Sequence, residues 1–97
     1  MKIKIIEPRE ILIEEFMKPL KITAYRLAKE TKMPMTRVAD ILKGRRRITI
    51  ETALKFAAYF GNSADFWVGI QTECDLRKEK EAIKEELSQI RPLKIAS

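Results

Sequence analysis

Apolar residues recur along this chain at helical spacing, and Pro, Gly, Ser and Thr cut the pattern into five predicted helices. After a short alternating Lys/Ile start, Pro8 suits the first turn of a helix, with Glu7 and Glu10 near its positive end. Ile13, Phe16, Met17 and Leu20 follow at i, i+3, i+4 and i+7 as its inward face, and Pro19 should stop or kink it. Thr23 is placed to cap a second helix, from Ala24 to about Thr31, that buries Leu27 and Ala28. Pro34 opens a third, running to Lys43, with Val38, Ile41 and Leu42 inward and Gly44 at its close. Thr49 caps a fourth, whose inner residues include Ala53, Leu54, Ala57 and Phe60, and Gly61 ends it. Ser63 caps a fifth, long helix over about residues 63–90. Phe66, Trp67, Ile70 and Cys74 form its first stripe. Leu76, Ile83 and Ile90 then repeat every seven residues, with Leu87 between, as far as Pro92.

Composition narrows the class. Ninety-seven residues suffice for one domain, 1–97, with a modest core. No apolar run is long enough to span a membrane and the start lacks a secretory core, so a cytoplasmic protein is expected. There is no histidine and one cysteine, Cys74, which predicts neither disulfide, metal nor cofactor. An enzyme is disfavoured for the same reason: no Ser or Cys has an evident activating base, and Glu14-Glu15 and Glu85-Glu86 are adjacent pairs on different helix faces. No catalytic residue is predicted.

The net charge of +6 is not spread evenly. Residues 1–22 carry +1, residues 23–48 carry +6 and residues 49–97 carry −1. A localised basic block fits a polyanion partner, although charge alone also fits a solvated face.

Within that block lies a two-helix motif, residues 24–43. Val38 follows Ala28 by ten residues and Ile41 follows it by thirteen, with Met33 in the turn between. A helix-turn-helix needs a small residue where its helices cross and two inward aliphatics on the second. Met35, Thr36, Arg37, Asp40 and Lys43 then face outward on the reading helix. Arg can bond guanine bidentately, and Thr offers a hydroxyl and a methyl. Arg45, Arg46 and Arg47 follow Gly44, where the chain would pass the phosphate backbone. Thr23 and Tyr25, at the start of the second helix, join the candidate DNA contacts, although Tyr25 could instead half-bury its ring. The alternative is a helical hairpin with a basic surface. RNA ranks below duplex DNA because the block's only aromatic is Tyr25.

One short reading helix makes few contacts, so a homodimer is expected, paired through the stripe Leu76, Ile83, Leu87 and Ile90. Phe66 and Trp67 lie on an apolar stripe outside the basic block and read as core rather than as a base-stacking platform.

Several stretches carry a resemblance. They are Pro8-x-Glu10-Ile11-Leu12-x2-Glu15-Phe16-x2-Pro19-Leu20, Pro34-x2-Arg37-Val38-x2-Ile41-Leu42-x-Gly44-x-Arg46, and Thr49-x3-Ala53-Leu54. Tyr59-Phe60-Gly61-Asn62-Ser63-Ala64-x-Phe66-Trp67-x3-Gln71 completes them. Over roughly residues 7–77 the sequence resembles the HigA (VapI-type) antitoxins of the phage-repressor-like helix-turn-helix group. The resemblance implies an all-α, five-helix, repressor-like DNA-binding domain. It also implies a dimeric antitoxin that represses its own operon and neutralises an RNA-cleaving toxin. A repressor of the same fold without a toxin partner is the alternative. Three departures stand out: Glu7-Pro8-Arg9 where the family usually has His-Pro-Gly, Thr36 where Asn is common, and Lys32 at a turn position often held by Gly. Lys32 is therefore expected at positive φ, at some cost. For the toxin, Glu7, Glu10, Glu14 and Glu15 are candidate contacts with a basic partner, and residues 2–6 have the period of an edge strand.

Overall fold

The computed structural model describes residues 5–94. Among them are six helices and no strand: α1 (residues 8–20), α2 (Ala24–Glu30), α3 (Met35–Leu42), α4 (Ile50–Phe60), α5 (Ala64–Ala82) and α6 (Lys84–Ser88). All three predicted caps form. Thr23 Oγ1 accepts from the Arg26 N–H at 3.1 Å, Thr49 Oγ1 from the Thr52 N–H at 3.2 Å, and Ser63 Oγ from the Phe66 N–H at 3.1 Å. Each satisfies one amide that the helix start would otherwise leave unpaired.

Pro8 occupies the first turn of α1 as expected. Pro19 lies in its last turn, the helix ending at Leu20 before left-handed Lys21, but the residues leading up to Pro19 are not cut from the helix. Instead the turn before it, Leu12–Met17, widens to π-helical bonding, and the Lys18 N–H reaches back to Ile13 O. A proline ring collides with the carbonyl four residues earlier, and a wider turn accommodates it. The inward face rotates with the extra residue. Leu12 and Met17, five apart, are buried, Ile13 and Phe16 are half-buried, and Leu20 is exposed. Leu20 thus leaves the predicted buried face and Leu12 joins it.

The aromatic cluster forms around Trp67, which is wholly buried with Phe56 and touches Phe16, Phe60 and Phe66 at centroid distances of 5.0, 5.8 and 5.1 Å. Its indole N–H donates to Asn62 Oδ1 at 2.8 Å, so the buried ring leaves no polar atom unpaired. In α4 the inward set is Thr52, Ala53, Phe56 and Ala57. Leu54 faces solvent, because Phe56 rather than Leu54 is in helical phase with Ala53 and Phe60.

The predicted fifth helix is broken. α5 ends at Ala82, Ile83 takes φ −109° and ψ 22°, and the short α6 follows, ending at Ser88 before Pro92 is reached. Beyond Asp75 the chain packs little of its surface: Leu76, Leu87 and Ile90 are exposed and Ile83 is half-buried.

Candidate nucleic-acid interface

The turn between α2 and α3 is built from its own backbone. The Met33 N–H bonds Ala28 O at 2.9 Å and the Lys32 N–H bonds Lys29 O at 3.3 Å, closing α2 with a left-handed residue. That residue is Lys32, at φ 57°, as its place in the motif predicts. Thr31 is buried and its hydroxyl donates to Leu27 O, ending the helix without an unpaired group. Ala28, Met33, Val38 and Ile41 are all buried, so the two helices meet where the spacing requires.

Pro34 stands at the N-cap of α3, just before the helix rather than in it. Met35, Thr36 and Lys43 are exposed, Asp40 is half-buried and Tyr25 is exposed. Thr23 is exposed too, but its hydroxyl already accepts the Arg26 N–H. Arg37 is half-buried, and its guanidinium donates to Glu51 Oε2 on α4 at 3.1 Å. Glu51 also holds Lys55 at 3.2 Å, and Lys55 donates to Lys32 O at 3.2 Å, so this chain of contacts runs from the turn to the reading helix. Lys55 first, and then Arg37, hold the Glu51 carboxyl below the usual range.

After α3 the chain turns at Gly44, φ 75°. A Cβ there would lie 3.1 Å from the Arg9 guanidinium, so glycine serves both the turn and the close approach. Asp40 O accepts the N–H groups of Arg45 and Arg46 at 2.8 and 3.2 Å. Arg45, Arg46 and Arg47 all project as exposed side chains beside the C-terminal end of α3. The other end of the loop is fastened by Gln71 of α5, whose Oε1 accepts the buried Ile48 N–H at 2.8 Å. The Gln71 Nε2 donates to Asp75 Oδ1 at 3.0 Å, and Asp75 Oδ2 pairs with Arg47. The sequence marks Gln71 only as part of a familiar run. Its role, like those of Glu51 and Asp75, depends on contacts 14 to 28 residues apart and has no local signal.

The candidate toxin contacts differ in setting. The Glu7 carboxylate is occupied by Arg9 at 3.0 Å and by Lys78 of α5 at 3.0 Å. Lys78 above all, then Arg9, holds its pKa down. Glu14 pairs with Lys18 at 2.8 Å on the exposed side of α1, Glu15 is exposed and Glu10 is half-buried. Of the expected edge strand, residues 1–4 lie outside the described residues, and Ile5 and Ile6 are not in a strand. A groove of about 1150 Å³ runs along the far end of α5 and is lined by Ile5, Leu76, Ile83 and Leu87 among charged residues. Cys74 is buried, which pushes its thiol pKa up and suits a packing residue. No helix of the described residues is long and apolar enough to cross a membrane.

The arrangement defines a helix-turn-helix protein, and residues 13–67 match the sequence pattern of the helix-turn-helix family. Virulence-associated protein I of Dichelobacter nodosus is 41% identical over 88 residues, covering 91% of this chain and 81% of its own. Antitoxin HigA-1 of Vibrio cholerae is 33% identical over 84 residues, 87% of this chain and 79% of its own. The structure of the Pseudomonas aeruginosa antitoxin HigA with the higBA promoter superposes with a TM-score of 0.89 at 33% identity, covering 94% of this chain and all of that one. The chain belongs to the helix-turn-helix family and, within it, to the HigA and VapI group of antitoxins. That is a family of binding proteins, not of enzymes.

Proposed function

We propose that this protein is a DNA-binding antitoxin that represses its own operon and neutralises an RNA-cleaving toxin. The observation that carries the DNA reading is the exposed pair Met35 and Thr36 on α3 with Lys43 just after its end, continued by three exposed arginines on the adjoining loop. Residues of this kind divide the work: Thr36 reads base edges, joined by Arg37 if DNA draws it from Glu51, while Lys43 and Arg45–Arg47 meet phosphates. Tyr25, exposed at the start of α2, adds a phosphate contact from the other side of the motif. The likeness to a HigA antitoxin whose structure includes its promoter supports the DNA-binding reading.

Salt dependence tests it. Replacing Arg45, Arg46 and Arg47 with Ala should weaken binding to every duplex alike and lower the log–log salt slope by about 0.9 for each phosphate left unneutralised. Thr36→Ala should instead relax preference at one base pair, by roughly 1–3 kcal/mol. Full affinity of the triple variant at moderate salt would refute the proposed face.

The toxin reading draws on the family and on the acidic outer face of α1, where Glu14 and Glu15 are exposed. A ribonuclease that binds RNA is basic and would be drawn to such a face. Glu10 lies beside it, whereas Glu7 is already engaged by Lys78 and Arg9 and drops out of this surface. Self-association through Leu76, Ile83, Leu87 and Ile90 completes the proposal, since two reading helices are needed to span two half-sites.

A further inference from the structure

We propose that Gln71 is a positioning residue for DNA binding: by pinning Ile48 to α5 it holds Arg45, Arg46 and Arg47 where the phosphate backbone passes. The inference rests on the DNA reading above and adds to it a residue outside the helix-turn-helix motif.

The backbone of the arginine loop is held at both ends, and between them the Arg47 side chain pairs with Asp75. Its first end is closed by Asp40 O, which takes two backbone N–H groups, and by the left-handed Gly44. Its second end is the Ile48 N–H, which is buried and whose acceptor is the Gln71 side chain. Gln71 is itself only 7% exposed, so no water competes freely for that bond. Both of its polar ends are used, and this fixes which way round the amide sits: Ile48 needs an acceptor and the Asp75 carboxylate needs a donor. Glutamate could not serve both, because it would set one carboxylate against another. Asp75 in turn holds the Arg47 guanidinium through its second oxygen. That pair is exposed, so it keeps Arg47 extended in the free protein and yields readily to a phosphate. A loop ordered in advance sacrifices less conformational entropy when three long side chains engage a polyanion.

A bond that merely satisfied a buried amide would stabilise the fold without acting through the arginines, and a double-mutant cycle separates the two. Gln71→Met keeps the packing volume and removes the acceptor. Affinity for operator and unrelated duplexes is measured against salt for four full-length proteins: wild type, Gln71→Met, the triple Arg→Ala variant and their combination. We expect Gln71→Met to weaken binding to all duplexes about tenfold and to lower the salt slope by about 0.9 for each phosphate left unneutralised. In the triple Arg→Ala background the same change should cost nothing further. An equal weakening in both backgrounds, or none in either, would overturn the proposal. If the triple variant itself binds as wild type does, the DNA reading fails instead, and this inference with it. Should Gln71→Met not fold, amide hydrogen exchange on the wild type decides. The Ile48 N–H is expected to be as protected as the core of α5, and exchange at the open-chain rate would sink the assignment.

Discussion

At the scale of single residues, the contacts that matter most here join positions far apart in sequence. Glu7 is the clearest case, because its charge suggests a partner surface while its carboxylate is spent on Lys78 and Arg9. Both lower its pKa below the ordinary 4.5, Lys78 more than Arg9. A carboxylate depressed in the folded state adds stability above its unfolded pKa and gives it up as pH falls through the folded one. The stability that the Glu7 pairs supply should therefore be whole at neutral pH and fade below about pH 4.5, whereas Glu7→Gln should lack it throughout. Thermal melts of the two proteins from pH 7 to pH 3 check this: their difference should shrink as the acid limit is approached. A constant difference would mean that the Glu7 pairs contribute nothing that titrates. Lys21 and Lys32 both stand at positive φ, where glycine is the easier choice.

Helices were the most legible elements, because caps and breakers act within a few residues. Thr23, Thr49 and Ser63 cap where their chemistry says they should, and Gly44 and Gly61 close helices in the left-handed conformation. Phase was harder to read than position. In α4 both Leu54 and Phe56 are apolar, and Phe56, three residues from Ala53 and four from Phe60, enters while Leu54 does not. In α1 the π-helical turn shifts the buried set to Leu12 and Met17, a rotation that a fixed period of 3.6 cannot anticipate. The heptad from Leu76 to Ile90 suggested one continuous helix, yet Ile83 leaves helical geometry and divides it.

For the whole molecule, the basic excess belongs to residues 23–48, whereas the exposed apolar residues Leu76, Leu87, Ile90 and Leu93 follow one another beyond the core in residues 76–93. We propose a second copy as the cover for these residues, which fits the need of paired half-sites. Light scattering should find a wild-type dimer at micromolar concentration, and Ile83→Glu should be monomeric with weakened operator binding. A monomeric wild type would end that proposal. The proposed toxin contact involves α1 instead. Charge reversal of Glu14 and Glu15 to Lys should weaken toxin binding about tenfold or more by calorimetry while operator affinity holds. Unchanged toxin affinity would move that interface to the C-terminal segment.

What the sequence determined by itself was local or periodic. It specified the all-helical class, the three caps, the closing glycines, the Ala28–Val38–Ile41 crossing and the strained Lys32 turn, because each depends on neighbours within about a dozen residues. The tertiary structure decided what required distant elements to meet. It sent Arg37 toward Glu51, tied Glu7 to Lys78, rotated α1 before Pro19 and placed Gln71 behind the arginine loop. The reason is that hydrogen bonds and ion pairs are chosen by proximity in the folded chain. A residue's type says only which partners it can accept, and the way the helices pack settles which partner arrives.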